Sequence, residues 1–377
     1  MPWKEVSLMS QREELMVLAN QPGANRRELA RRWGVSAKTL YKWLKRYDHK
    51  GMDGLADQSK RPSCSPFKTD EKLERRILDL RDAHPYWGAR KLAGVLDNSG
   101  LLRVPAVSTV HEILRRHGRV SRDATGSQGA FQRFEHPAPN DLWQMDFKGH
   151  VPNERGRCHP LTMLDDHSRY NLCLAACDDE RADRVKTHLI ATFRRYGLPR
   201  RMTMDNGPPW GGGDSDGQGH TALTVWLMQL GIGVSHSRPY HPQTQGKDER
   251  FHRTLKVELL QHRRFVDNAH AQQVFDQYRQ VYNGQRPHEA LSMAVPQQRY
   301  RPSAVTYPEV LPVVEYLSTD RVYKVDTCAR IQVKGRRRKI GRAFIGQRVA
   351  LRAKEIDGCF SVWFSRFEIG EIDLRVP

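Results

Sequence analysis

The chain is poor in the residues that build sulfur-based frameworks. Its six cysteines, Cys64, Cys158, Cys173, Cys177, Cys328 and Cys359, are scattered, and none forms a CxxC pair. This spacing excludes a zinc ribbon and a disulfide scaffold, and it fits reduced thiols. The histidines between His220 and His262 do not fall at zinc-finger spacing. No apolar run approaches the roughly 18–20 residues that a membrane span requires. The opening residues, MPWKEVSLMS, lack the apolar core of a secretory signal. A cytoplasmic protein with no membrane partner is expected. Acidic residues are in deficit: 43 Asp and Glu against 62 Lys and Arg leave a net charge of +19. So large an excess predicts a polyanionic partner, nucleic acid first. With 377 residues, 38% of them hydrophobic, the chain can bury several cores and is expected to be multidomain.

What is present falls into blocks. Residues 1–50 read as an all-α helix-turn-helix domain. One helix covers about Ser10–Asn20, and Asn25, with Glu28 three residues on, caps a second. Gly34 permits a sharp turn and Ser36 caps a third helix. Leu40, Trp43 and Leu44 form the inner face of that helix, leaving Ser36, Lys38, Thr39, Lys42 and Lys45 to reach DNA bases and phosphates. This block resembles the helix-turn-helix heads of bacterial transposases. Residues 51–67, rich in Gly, Ser and Pro, read as a linker. Residues 68–118 read as a second helix-turn-helix-like domain. Thr69 is expected to cap its first helix, and Ser108–His117 to form its last as a capped basic helix that shows Ser108, Thr109 and Arg115 to DNA. Residues 119–140 read as a further linker.

From Asp141 the composition shifts to short β-prone runs. DLWQMDFKGH alternates, which puts Trp143, Met145 and Phe147 on one face of a strand and Asp146 on the other. Ala182–Tyr196 reads as a helix stopped at Gly197-Leu198-Pro199, and RRMTMDNG as a strand ending at Asp205. Such an order suggests a mixed α/β layer. Farther on, a loop with Pro239, Pro242 and Gly246 leads into a helix whose first turns carry Glu249. Arg253 and Lys256 lie within about 40° of Glu249 on that helix. Carboxylates in the middle or at the end of strands are costly unless paired or metal-bound. Asp146, Asp205 and Glu249, if they converge, can hold two Mg²⁺ ions, with Mn²⁺ as a substitute. Asp165 and Asp166 occupy adjacent strand positions, so only one of them can face such a site. Asp248 is set aside: it stands about 100° round the helix and lacks the basic i+4, i+7 face. Lys247, Arg250, Arg253 and Lys256 are assigned to DNA phosphates. Gln243 and Thr244 join them, since they lie just before a helix N-terminus, where backbone N–H groups attract anions.

WQMDF, LDDHSRY, MDNGPPW and HPQTQGKDERFHRTLK resemble the motifs of the retroviral-integrase superfamily, and most closely those of its bacterial insertion-sequence transposases. The resemblance covers about 141–296. It implies a ribonuclease-H-like catalytic core and an Asp-Asp-Glu triad, which falls on Asp146, Asp205 and Glu249. The stretch from Asp205 to Glu249 is longer than in retroviral integrases, and WGGGDSDGQGH, Trp210–His220, accounts for the excess. Its Asp214 and Asp216 read as parts of a solvated loop. The resemblance further implies cleavage and joining of double-stranded DNA, both element ends and target, by a homo-oligomer assembled on that DNA. A DNA-binding regulator on an inactive core and a nuclease that does not join are the alternatives. Residues 297–312 read as a linker. Residues 313–377 hold several short strand-like runs and suggest a small β-barrel, with Arg336, Arg337 and Arg338 on a basic turn available to phosphates.

Overall fold

The protein is described from a computed structural model that covers residues 7–58, 68–120, 135–211, 219–236 and 246–375. It divides into two compact units, Met1–Lys68 and Thr69–Pro377. The first is built from α1 (Leu8–Ala19), α2 (Arg26–Arg32) and α3 (Ala37–Lys50). Ser7, Asn25 and Ser36 cap these helices, each accepting the N–H of the residue three positions on. Gly34, at φ +65°, makes the turn between α2 and α3. Leu15, Met16, Ala30, Leu40 and Leu44 form the core. The linker expected from residue 51 starts later. Gly51–Leu55 is a 3-10 turn, and Leu55 is drawn fully into the core. Gly54 permits this, since a Cβ there would lie 2.2 Å from the Arg46 carbonyl oxygen.

The second unit begins with α4 (Glu71–Ala83), α5 (Ala89–Asn98) and α6 (Val107–Arg116), packed around Ile77, Trp87, Leu92, Val110 and Ile113. Two caps differ from expectation. Asp70, rather than Thr69, caps α4, because its carboxylate reaches the Lys72 N–H. Helix α6 starts at Val107 with Ala106 at the N-cap and no side-chain cap, so Ser108 lies inside the first turn.

An α/β core follows. It comprises β1 (Trp143–Phe147), β2 (Val151–Asn153), β3 (Gly156–Asp165), β4 (Asn171–Cys177), α7 (Ala182–Tyr196), β5 (Arg201–Met204), α8 (Ala222–Gln229), β6 (Gly233–His236), α9 (Gly246–Leu255), α10 (Asn268–Gly284) and α11 (Pro296–Arg299). The sheet runs β3-β1-β5-β6, with β4 and the short β2 also paired to β3. β1 is antiparallel to β3 and parallel to β5. Strand alternation explains the two faces. Trp143, Met145, Leu161 and Met163 pack with α7 and α8. On the opposite face, Leu164 and Leu174 pack with Phe251 and Leu255 of α9 and Phe275 of α10.

The stretch read as a linker at 297–312 is packed onto this core. The Leu198 N–H donates to the Val305 carbonyl at 2.7 Å, and Tyr300 stacks on Tyr170 at 4.4 Å.

The C-terminal strands are β7 (Arg321–Lys324), β8 (Arg330–Val333), β9 (Arg336–Lys339), β10 (Arg348–Ala353), β11 (Cys359–Phe364) and β12 (Phe367–Asp373). They do not close into the expected barrel. A sheet ordered β12-β11-β10-β7 stands beside a separate β8-β9 hairpin. Between β9 and β10, RAFIG holds a 3-10 turn, Arg342–Phe344, between Gly341 and Gly346, both at positive φ. Phe344 plugs the apolar cluster from this turn, and Val225 and Met228 of α8 join the same cluster.

Candidate active site

Asp146 and Asp205 come from neighbouring strands. Trp143 pairs with Met202 and Gln144 with Thr203. Continuing that parallel register by two residues sets Asp146 beside Asp205, just beyond the end of β5. The turn after Asp205 is shaped by glycine. The Gly207 N–H donates to Asp205 Oδ1 at 3.0 Å, and a Cβ on Gly211 would lie 2.1 Å from the Asn206 carbonyl oxygen. Trp210, buried, stacks on Phe147 at 5.6 Å and closes the apolar side of the turn. His236 Nδ1 contacts the Asp205 carbonyl at 2.9 Å from β6.

The electrostatics are those of acids held together. Burial, followed by the Asp205 carboxylate, pushes Asp146 up to about 7, against the opposing Phe147 N–H at 2.8 Å. Burial also raises Asp205, with the Gly207 N–H and His236 opposing. Glu180 adds negative potential at both, although its carboxylate is engaged by His159 Nδ1 at 2.8 Å.

The third acid in the buried neighbourhood is Asp248. Asp146, Asp248 and His252 each bring one potential ligand atom within 4.8 Å of the others. Asp248 is 1% exposed and lies on the inner stripe of α9 with Phe251, His252 and Leu255. Burial first, then Asp146, raises its carboxyl well above the usual range, and the Thr162 hydroxyl opposes this. Burial and then Lys148 push His252 down to about 3, so its imidazole is neutral. Glu249 is exposed on the next position of the helix, and Arg250, Arg253 and Lys256 are exposed with it. Lys247 is turned inward and ion-pairs with buried Asp166. It is thereby engaged within the protein rather than offered to phosphate.

Asp165 and Asp166 hold loops. Asp165 accepts from the Asn140 N–H at 2.7 Å and from the Ser168 N–H at 2.8 Å. Asp166 accepts from the His136 N–H and from Gln144 Nε2, both at 2.9 Å. The remaining assigned positions spread along the chain. Lys38, Lys42 and Lys45 are exposed on α3, and the Ser36 and Thr39 hydroxyls meet at 2.8 Å in the cap. Ser108 and Thr109 are exposed on α6, and Arg115 is held by Glu112. Arg336 and Arg337 are exposed on β9, Arg338 is half-buried, and Arg336 also donates to the Leu374 carbonyl. Gln243, Thr244, Asp214 and Asp216 lie outside the described residues. Sequence reasoning missed Gln144, Thr162, Glu180 and His252. A signal for Asp248 and His252 was available: both share the i, i+3, i+4, i+7 stripe with Phe251 and Leu255.

Comparison with known proteins agrees with this layout. Residues 136–242 and 230–296 match two families, each described as "Integrase core domain". Residues 320–377 match "IS481 family transposase, C-terminal domain", 11–63 match "Helix-turn-helix domain" and 39–114 match "Homeodomain-like domain". The chain is 25% identical over 247 residues to the insertion element IS407 uncharacterized 31.7 kDa protein of Burkholderia multivorans, covering 64% of this chain and 86% of that one. It is 28% identical over 258 residues to the insertion element IS476 uncharacterized 39.2 kDa protein of Xanthomonas euvesicatoria, covering 66% and 70%. Among solved structures it is similar to the HTLV-2 integrase catalytic core domain in complex with magnesium, at 16% identity and a TM-score of 0.32, over 43% of this chain and 96% of that one.

Proposed function

Because the chain is assembled from helix-turn-helix, integrase-core and insertion-sequence transposase domains, we propose that it is a DNA transposase. It binds the terminal inverted repeats of its element, cleaves at the 3′ ends and joins them to target DNA. The observation that carries this reading is the pair Asp146 and Asp205, side by side on a sheet of ribonuclease-H-like order. Two carboxylates whose proton affinity is raised by burial, and at Asp146 also by Asp205, with only oxygen donors to offer, suit a hard cation. Asp146, Asp205 and Glu249 would hold two Mg²⁺ ions, or Mn²⁺ in their place. Bound there, the ions supply Lewis-acid activation of the attacking hydroxyl and neutralise charge building at phosphorus. Arg253 and Lys256, on the exposed stripe of Glu249, and Arg250 beside them hold the DNA backbone. Gln243 and Thr244, preceding α9, extend that contact. Helix α3 reads the element end through Ser36, Lys38, Thr39, Lys42 and Lys45. Helix α6, through Ser108, Thr109 and Arg115, and Arg336, Arg337 and Arg338 on β9 add further grip. Pairing two ends requires a homo-oligomer on DNA, at work in the bacterial cytoplasm on the nucleoid.

Incubation with end-containing DNA and Mg²⁺ tests this reading. The wild type should yield cut and joined products. Asp205→Asn should bind the same DNA and yield neither product; full joining by that variant would sink the assignment. A wild type that binds without chemistry would be a regulator, and one that cuts without joining a nuclease.

A further inference from the structure

The inner face of α9 is apolar at Phe251 and Leu255, where it meets the sheet. Asp248 and His252 interrupt that stripe with two buried polar groups. An apolar side chain at 248 would continue the packing at lower cost, since buried charged sets are often no more stable than hydrophobic replacements. The partners of these groups are specific. The Thr162 hydroxyl lies 2.8 Å from His252 Nε2, 3.1 Å from Asp248 Oδ1 and 3.0 Å from the Asp146 carbonyl oxygen. Thr162 is also the cross-strand partner of Asp146. Gln144, on the same face of β1 as Asp146, accepts the Asp248 N–H at 3.2 Å and donates to Asp166 at 2.9 Å. Asp166 in turn holds Lys247.

Thr162 and Gln144 tie the first two turns of α9 to the strands carrying or flanking Asp146, and Asp166 ties them to the turn after β3. Apolar packing alone is non-directional and lets a helix turn or slide. Hydrogen bonds with fixed partners do not. On the premise of the transposase reading, we propose that Gln144, Thr162, Asp166, Lys247, Asp248 and His252 are positioning residues. They form a polar latch that sets the rotation of α9 and so aims Glu249 at the Asp146–Asp205 pair. Lys247 and Asp248 immediately precede Glu249 on α9, so a helix released from the latch carries its third acid away with it.

The test uses the full-length protein, with Mn²⁺ as the probe. Mn²⁺ affinity is measured by electron paramagnetic resonance without DNA, cleavage is measured on end-containing DNA, and stability by thermal melting. Asp248→Leu should melt at or above the wild-type temperature yet bind Mn²⁺ about 10–100-fold more weakly, the range seen when groups orienting metal ligands are removed. Its cleavage should fall by a similar factor. Asp248→Asn, which keeps an oxygen for Thr162, should restore most of both. Thr162→Val, near in volume, should repeat the loss and carries the test if Asp248→Leu does not fold. Wild-type affinity and cleavage in Asp248→Leu or Thr162→Val would overturn the latch alone. A loss in Asp248→Asn as complete as in Asp248→Leu would make Asp248 a metal ligand, and would also overturn it. A wild type that neither binds Mn²⁺ nor cleaves would overturn the transposase reading and the latch with it.

Discussion

At the scale of single residues, the proposed metal chemistry turns on Asp146. Its carboxyl is pushed up to about 7 by burial and by Asp205. An acid whose pKa is raised on folding binds its proton more tightly in the folded state. Its contribution to stability is therefore present at low pH and is lost as pH rises from the ordinary carboxylate value through about 7. A cation must displace that proton. Apparent Mn²⁺ affinity should accordingly rise as pH increases from 6 to 8, more steeply than in Asp146→Asn; electron paramagnetic resonance titrations of Mn²⁺ binding at the two pH values check this. Asp146 and Asp205 were legible as sequence because each sits at a strand position that leaves a carboxylate in trouble. Asp248 was not. Counted by charge it belongs outside, and only its spacing from Phe251 and Leu255 pointed inward.

At the scale of elements, α9 passes into a π-helical turn, Lys256–Leu260, that carries Glu258 inward. Arg286, just after α10, meets it at 2.9 Å, with both side chains about a tenth exposed, and the Tyr278 hydroxyl lies 3.4 Å away. Removing one partner leaves a buried charge unpaired. Arg286→Met should thus cost about 3–5 kcal/mol, whereas adding Glu258→Met should recover most of that loss. Urea melts of the two single variants and the double variant measure it. Helix starts were largely readable, because caps such as Asn25 and Ser36 act on N–H groups three residues away. The Glu258–Arg286 pair was not, since nothing local to either residue announces the other.

At the scale of the molecule, the unit from Thr69 onward is held by close approaches between its parts. A Cβ on Gly94 of α5 would lie 3.2 Å from the Pro287 Cβ, and Asn98 Nδ2 donates to the Met293 carbonyl at 2.9 Å. Helix α8 gives Leu223 and Trp226 to the core and Val225 and Met228 to the C-terminal sheets. A fragment spanning 69–377 should therefore fold alone and melt in one transition at the temperature of the main transition of the full chain; calorimetry of both decides it. The expected linker at 297–312 failed because its tyrosines find partners on α7 and the 165–170 turn, which no local pattern reveals.

The sequence by itself determined the basic character, the capped helices of the first unit, the alternation that turns Asp146 away from Trp143, and the strand that stops just before Asp205. These rest on composition or on contacts within a few residues. Tertiary structure alone decided that the C-terminal strands stay open and which polar partners the inward-facing Asp248 meets. The rotation of α9 is set by Thr162 and Gln144, which lie 86 and 104 residues away along the chain. Until the fold brings those partners together, the two adjacent acids are separated by only about 100° round the helix.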